Sequence, residues 1–308
     1  MSLPELLPCP LDDSAPRPLV LVVDDHPANV RLVIEALQPE MEVVFALNGE
    51  RALERLQQPP PPEVLLLDLH MPGMDGHELC RRIKADERLR EIPLIFLTGD
   101  QREDAEQAGL DLGAVDYLNK PISAPILKAR VRTHVRLHRQ NLLLNRLAHH
   151  DALTGVANRG SFDRALQRCV AQARRDTLPL GLLFLDLDHF KQRNDHYGHA
   201  AGDEALRLIG AYLLSQVRRP SDVVARYGGE EFVCILPDTT PAHARQMAEL
   251  LRRGVAALPL SSEPLTVSIG GAMLEPEQDN PATALLAAAD AALYRAKQEG
   301  RNRVCWAE

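Results

Sequence analysis

The sequence predicts two α/β domains in tandem, the first a doubly wound parallel sheet and the second an α/β domain with a central, mostly antiparallel sheet, with one long helix between them. Three observations carry this prediction: apolar runs that stop abruptly at aspartate, a stretch from about 124 to 150 with no glycine or proline beyond its first turn, and a Gly228-Gly229 turn between two further apolar runs. The 308 residues are enough for two domains that each bury a core. A hydrophobic content of 45% and a charged content of 25% are ordinary for soluble globular protein.

Residues 1–17, rich in proline and acid and without periodicity, read as a flexible tail. The pattern then changes. Leu19-Val20-Leu21-Val22-Val23 ends in Asp24-Asp25, Val64-Leu65-Leu66-Leu67 ends in Asp68, and Leu94-Ile95-Phe96-Leu97 ends in Thr98. Amphipathic stretches such as 28–37 and 77–86 separate these runs, so residues 18–123 read as buried parallel strands alternating with helices. Ligands of such sheets collect at the carboxyl ends of the strands, where Asp24, Asp25, Asp68 and Thr98 all fall. Clustered carboxylates repel one another unless a cation separates them, and an oxygen-rich site suits magnesium. Lys120, just after Tyr117-Leu118-Asn119 at the end of a fifth strand, can pair with these acids or with a phosphoryl group placed on them.

This constellation, together with Asp68-Leu69-His70-Met71-Pro72-Gly73-Met74-Asp75-Gly76, resembles the receiver domain of two-component response regulators over about residues 18–138. The resemblance implies that a cognate histidine kinase phosphorylates Asp68, and that Asp24, Asp25, Asp68 and the backbone carbonyl of His70 hold magnesium. It further implies that Thr98 and Lys120 contact the phosphoryl oxygens and that Tyr117 is the aromatic switch.

Residues 124–150 are expected to form the last receiver helix and to continue as a linker helix. Ile126, Leu137, Leu144 and Leu147 share a heptad stripe that Arg130, Thr133 and Gln140 interrupt. An interrupted seam favours a short, adjustable coiled coil with a second chain. The basic run from Lys128 to Arg139 reads as a solvated helix face, and His149 and His150 as junction residues, since no third metal ligand stands at a telling spacing.

Residues 151–308 carry the second domain, with strands expected at 180–188, 222–227, 231–236, 265–274 and 303–306 and helices near 161–175, 201–217, 241–256 and 281–298. Gly228-Gly229 supplies the positive φ that a tight hairpin demands and brings Glu230 and Glu231 to the tip, where Asp186 and Asp188 can face them. Carboxylates on two neighbouring turns suit phosphoryl transfer to a hydroxyl: metal-bound acids offset phosphate charge and a remaining acid accepts the proton. Lys191, Lys297 and Arg301 are available for the phosphates.

The segments Asp151-Ala152-Leu153-Thr154-Gly155, Asp186-Leu187-Asp188-His189-Phe190-Lys191, Asn194-Asp195, Gly202-Asp203 and Arg226-Tyr227-Gly228-Gly229-Glu230-Glu231-Phe232 resemble diguanylate cyclases of the GGDEF family over about residues 147–306. The resemblance implies condensation of two GTP into cyclic di-GMP, with Asp186, the carbonyl of Leu187 and Glu230 as ligands of magnesium, or of manganese in its place. Glu230 or Glu231 is the implied general base, Asn194 and Asp203 the guanine readers, and Phe190, Lys191, Lys297 and Arg301, with Gly228 and Gly229 in the turn, the triphosphate site. A carboxylate at Asp203 accepts from N1 and N2 of guanine and cannot do so from adenine, whose N1 is an acceptor. Arg219-Pro220-Ser221-Asp222 stands nine residues before Gly228, the place of the family's inhibitory product site, so Arg219 and Asp222 are expected to bind cyclic di-GMP. One GTP per domain requires a homodimer or higher homo-oligomer.

A net charge of -8 argues against a nucleic-acid partner, and no apolar run reaches the ~18 residues a membrane span needs. The five scattered cysteines suggest neither disulfides nor zinc, which fits a cytoplasmic location.

Overall fold

The structure, a computed structural model, describes residues 16–99, 109, 111–260, 263–274 and 280–307. Of the expected tail, only residues 16 and 17 are among them. The chain divides into two compact units between Leu144 and Asn145.

The first unit holds a five-stranded parallel sheet with strands β1 (Leu19–Val23), β2 (Glu42–Ala46), β3 (Val64–Asp68), β4 (Leu94–Thr98) and β5 (Asp116–Asn119), in the order β2-β1-β3-β4-β5. The helices described are α1 (Pro27–Leu37), α2 (Gly49–Leu56), α3 (Gly76–Ala85) and α4 (Ala124–His149). Strands β1, β3 and β4 are buried along their whole length because helices cover both faces, which is why they read as unbroken apolar runs. Odd and even residues of β1 feed separate clusters: Leu21 and Val23 pack on one face, Val20 and Val22 on the other. Each such side chain contributes about 1.5–3 kcal/mol when fully buried. The apolar runs alone did not reveal β2, a partly exposed edge strand.

In α4, Leu127, Val131 and Val135 are buried in the receiver-like core. The stripe expected to meet a second chain stays open, with Ile126 53%, Leu137 47%, Leu144 62% and Leu147 57% exposed. The basic run is solvated but tied down: Arg132 pairs with Glu40, Arg139 with Glu63 and Arg130 with Asp116.

The second unit is built on strands β6 (Leu180–Leu187), β7 (Val223–Gly228), β8 (Glu231–Pro237), β9 (Val267–Met273) and β10 (Val304–Trp306), in the order β10-β9-β6-β8-β7. Only the β9–β10 pair is parallel. Helices α5 (Arg159–Asp176), α6 (Phe190–Tyr197), α7 (His199–Gln216), α8 (Pro241–Ala256) and α9 (Pro281–Gln298) complete it. The short α6 was missed in the sequence because its run FKQRNDHY has no apolar period. Asn158 caps α5 by accepting from the Ser161 N–H at 2.9 Å, and Thr240 caps α8 ahead of Pro241. Central β6 alternates strictly: Leu183, Leu185 and Leu187 enter one core cluster, Leu180, Leu182 and Phe184 the other. Asp186 therefore emerges on the Phe184 side, at the end of the strand.

Candidate functional site

Two acidic sites result, one in each unit. In the first, strand ends β1 and β3 deliver Asp24, fully buried, and Asp68, 4% exposed. The Lys120 ammonium bridges them at 2.8 Å from Asp24 Oδ2 and 2.8 Å from Asp68 Oδ2. Burial by itself would lower the Lys120 pKa, but hydrogen bonds to Asp24 and Asp68 outweigh it and hold the ammonium above its ordinary value. Asn29 Nδ2 donates to Asp24 Oδ1 at 3.1 Å, and the half-exposed partner Asp25 lies 2.8 Å from the His26 ring. Ligand atoms of Asp24, Asp25, His26 and Asp68 all lie within 4.8 Å of one another. Carboxylates so confined are hard oxygen donors that fit a divalent cation. His26 was not foreseen as a member of this group.

Thr98 is fully buried at the end of β4, and Tyr117 stands half-buried in β5 with its ring 5.2 Å from that of Phe96. The Tyr117 hydroxyl lies against Gly109, which leaves no room for a Cβ there. Sequence reasoning passed over Gly109, since a glycine inside an otherwise ordinary stretch carries no local signal for such a contact. His70 N–H reaches Asp68 Oδ1 at 3.5 Å.

In the second unit the antiparallel register sets the site. Asp186 on β6 is the Cα partner of Glu231 on β8, so both side chains leave the sheet on one face. The β7–β8 turn places Gly229 at φ +50 and Glu230 at the tip, half-buried. Lys297 from α9 reaches Asp186 Oδ2 at 2.7 Å. Burial pushes the Asp186 carboxyl above its ordinary range; Lys297 opposes the shift, while Glu230 and Asp188 add to it. Glu231 is pushed up by burial and then by Asp186. Negative charge thus exceeds positive charge here, and oxygen donors with uncompensated charge fit a divalent cation.

Asp188 does not face the hairpin as expected. Asp186 is the last β6 residue with a β8 partner, whereas β9 runs alongside further, so the donors within reach of Asp188 are Thr266 and Ser268, both at 2.6 Å. The hairpin has a brace that the sequence concealed: Arg226 Nε donates to the Gly229 carbonyl at 2.8 Å and Nη1 to Asp151 Oδ1 at 3.0 Å. Asp151 is 75 residues from Arg226, and no local pattern links them.

Asn194 on α6 has a buried Oδ1 with no hydrogen-bond partner among the described residues, and it packs against Gly202 so closely that a Cβ at 202 would collide with it. Asp203 is half-buried on the next turn of α7. Lys191 is exposed, but the ring of Phe190 belongs to the core, which leaves only its main chain for a ligand. Arg301 is exposed after α9. Arg219 and Asp222 share a turn through the Asp222 N–H and the Arg219 carbonyl at 3.0 Å, yet the Arg219 guanidinium donates to Thr239 Oγ1 at 3.3 Å. Asp222 Oδ1 is buried without a partner among the described residues, and burial raises its pKa against the pull of Arg219.

The profile of the diguanylate cyclase, GGDEF domain family matches residues 148–303, and that of the response regulator receiver domain matches 20–132. Response regulator PleD of Caulobacter vibrioides is 34% identical over 298 residues, which are 92% of this chain and 65% of that protein. Diguanylate cyclase DgcP of Pseudomonas aeruginosa is 36% identical over 226 residues, 72% of this chain and 32% of its own. The chain thus spans less than two thirds of the length of these relatives. Among solved structures, the coiled coil and GGDEF domain of DgcB from Caulobacter crescentus in complex with c-di-GMP is similar at a TM-score of 0.52 and 34% identity, over 59% of this chain and 99% of that one. No helix among the described residues is long and apolar enough to cross a membrane.

Proposed function

We propose that this chain, which belongs to the diguanylate cyclase GGDEF family and carries a response regulator receiver domain, condenses two GTP into cyclic di-GMP and two pyrophosphates under control of phosphorylation at Asp68. The observation that carries the cyclase reading is the register that sets Asp186 opposite Glu231 beside Lys297, with Glu230 at the adjoining tip.

Magnesium, or manganese in its place, would be held by Asp186, the Leu187 carbonyl and Glu230 in this unit, and by Asp24, Asp25, Asp68 and the His70 carbonyl in the receiver. When bound it supplies neutralisation of phosphate charge. The chain's own side chains do the rest. Asn194 and Asp203 receive the guanine: the partnerless Asn194 oxygen gains a donor, and the Asp203 carboxylate accepts from N1 and N2. Lys191, Lys297, Arg301, the turn at Gly228-Gly229 and the Phe190 main chain orient the triphosphate. The proton of the attacking 3′-hydroxyl passes to Glu230 or Glu231, an effect worth about 10²- to 10⁴-fold.

One nucleotide per domain leaves the reaction incomplete until two chains bring hydroxyl and α-phosphorus to about 3.5 Å. The open stripe of Ile126, Leu137, Leu144 and Leu147 suits that homodimer. Phosphorylation by a histidine kinase adds about 1.5 to 2 negative charges beside Lys120 and Thr98 and biases the two-state receiver through Tyr117. Arg219 and Asp222 bind cyclic di-GMP and inhibit, the partnerless Asp222 oxygen accepting from the guanine edge. A cytoplasmic location fits a chain that draws on GTP.

Purified chain incubated with GTP and magnesium, its nucleotides resolved by chromatography, tests the reaction. Cyclic di-GMP and pyrophosphate in a 1:2 ratio are the expected products by stoichiometry; unchanged GTP would overturn the reading.

A further inference from the structure

Asp188 lies two residues beyond Asp186 but serves a different set of contacts. Its Oδ1 accepts from the Ser268 hydroxyl at 2.6 Å, and its Oδ2 accepts from the Thr266 hydroxyl at 2.6 Å and from the Asn302 main-chain N–H at 3.0 Å. The residue is 4% exposed, so these three donors stand in for water around its charge. Two of them belong to the sheet side of the contact. The third belongs to the turn that follows α9.

That turn runs through left-handed backbone at three successive residues: Gly300 at φ +117, Arg301 at φ +64 and Asn302 at φ +42. Two neighbouring non-glycine residues in this region persist only where their surroundings hold them. The holders are identifiable. Asp188 grips Asn302 from the strand side, while Arg252 of α8 donates to the Asn302 carbonyl at 3.3 Å and to its Oδ1 at 2.7 Å. Glu249 fixes Arg252 in turn, at 2.7 Å. Arg301 N–H closes on the Ala296 carbonyl at 3.0 Å. Between these anchors the Arg301 guanidinium is exposed and makes no hydrogen bond or ion pair with any described residue.

We infer that Asp188 is a positioning residue for the nucleotide's phosphates: its carboxylate pins the Gly300–Asn302 turn and so sets where Arg301 meets the triphosphate. The inference rests on the reading of Arg301 as a phosphate contact given above. It separates the two neighbouring aspartates by task. Asp186 keeps its carboxylate for the site, whereas each oxygen of Asp188 already has a hydroxyl within 2.6 Å.

Initial rates of cyclic di-GMP formation by the full chain, with GTP and magnesium, test this through a double-mutant cycle. Arg301→Ala should raise the KM for GTP about tenfold or more, with a smaller effect on kcat. Asp188→Ala should raise KM comparably, and the double variant no further than the worse single one. Asp188→Asn should recover most of the loss, because its Oδ1 can still accept from Thr266 and Asn302 while its Nδ2 donates to the Ser268 hydroxyl. Arg252→Ala, which removes the other grip on Asn302, should raise KM about two- to threefold, and not at all in the Arg301→Ala background. Should Asp188→Ala fail to fold, Arg252→Ala carries the cycle with Arg301→Ala, and Asp188→Asn should leave KM near that of the unaltered chain. Additive effects, or an Asp188→Asn as damaging as Asp188→Ala, would overturn the positioning role. An unchanged KM in Arg301→Ala would remove the phosphate reading of Arg301 and the inference with it. A raised KM there, with no effect of Asp188→Ala or Arg252→Ala, would remove the inference alone.

Discussion

The two acidic sites each set three carboxylates against one lysine, but the lysine is shared differently in each. In the receiver a single lysine touches both buried carboxylates, Lys120 with Asp24 and Asp68, and the result is an ammonium held above its ordinary pKa. In the second unit Lys297 touches Asp186 alone among the described residues; Glu230 and Glu231 crowd in from the hairpin, and the carboxyls of Asp186 and Glu231 are pushed up. In the first the lysine ties the two buried acids together, as suits the proposed phosphorylation of one of them. In the second the hairpin acids lie beside a lysine that is paired with Asp186, as suits the proposed binding of cation and nucleotide. The difference teaches that a count of acids and lysines says little about a site's task, whereas which of the acids the lysine touches says much.

The largest test of the contrast removes the acid that Lys297 touches. Asp186→Ala should lower cyclic di-GMP turnover by at least about 10²-fold, while labelling of Asp68 by a small-molecule phosphodonor proceeds as before; loss of both would mean the two sites are not separate in task. Next, Asp68→Asn should abolish the increase in turnover produced by beryllofluoride, a coupling expected at about 5- to 150-fold, and leave basal turnover intact. Equal rates with and without beryllofluoride in the unaltered chain would sink receiver control. A smaller effect belongs to the turn ahead of β7: Arg219→Ala should raise the cyclic di-GMP concentration that halves turnover by about tenfold, and undiminished product inhibition would count against that site.

The smallest effect lies at a pair outside both sites, where acid is fully matched. Glu249 is brought from 4.5 to about 2, first by its hydrogen bond with Arg252. A carboxylate depressed on folding contributes stability above its unfolded pKa and loses it as the pH falls through the folded one, so this contribution fades between pH 4.5 and about 2. The Glu249 side chain is 37% exposed, and solvent screening keeps the contribution under about 1 kcal/mol. Urea midpoints of Glu249→Gln and the unaltered chain should differ slightly at neutral pH and converge as the pH falls to about 2; a gap that persists there would assign the effect to packing instead.

Much of this was legible in the sequence because the signals are local. The apolar runs of β1, β3, β4 and β6 register burial on both faces, and Gly228-Gly229 registers a backbone requirement of the turn itself. Elements whose pattern is not set by burial escaped: β2, at a half-exposed edge, and α6, whose run FKQRNDHY has no apolar period. Phe190 shows the same limit at one residue: the family resemblance implies a place at the triphosphate, and only packing tells that its ring lies in the core.

The sequence by itself determined which residues stand at strand ends and turn tips, and so the roster of acids, lysines and glycines. Tertiary structure alone decided which of them touch. Asp186 and Asp188 are indistinguishable by alternation, yet β6 outruns its neighbour β8, and the strand that continues beside it turns Asp188 to Thr266, Ser268 and the Asn302 turn. Arg226 finds Asp151, and Tyr117 finds Gly109, for the same reason. A side chain's partners are set by where neighbouring elements end, and that is fixed only when the whole sheet has formed.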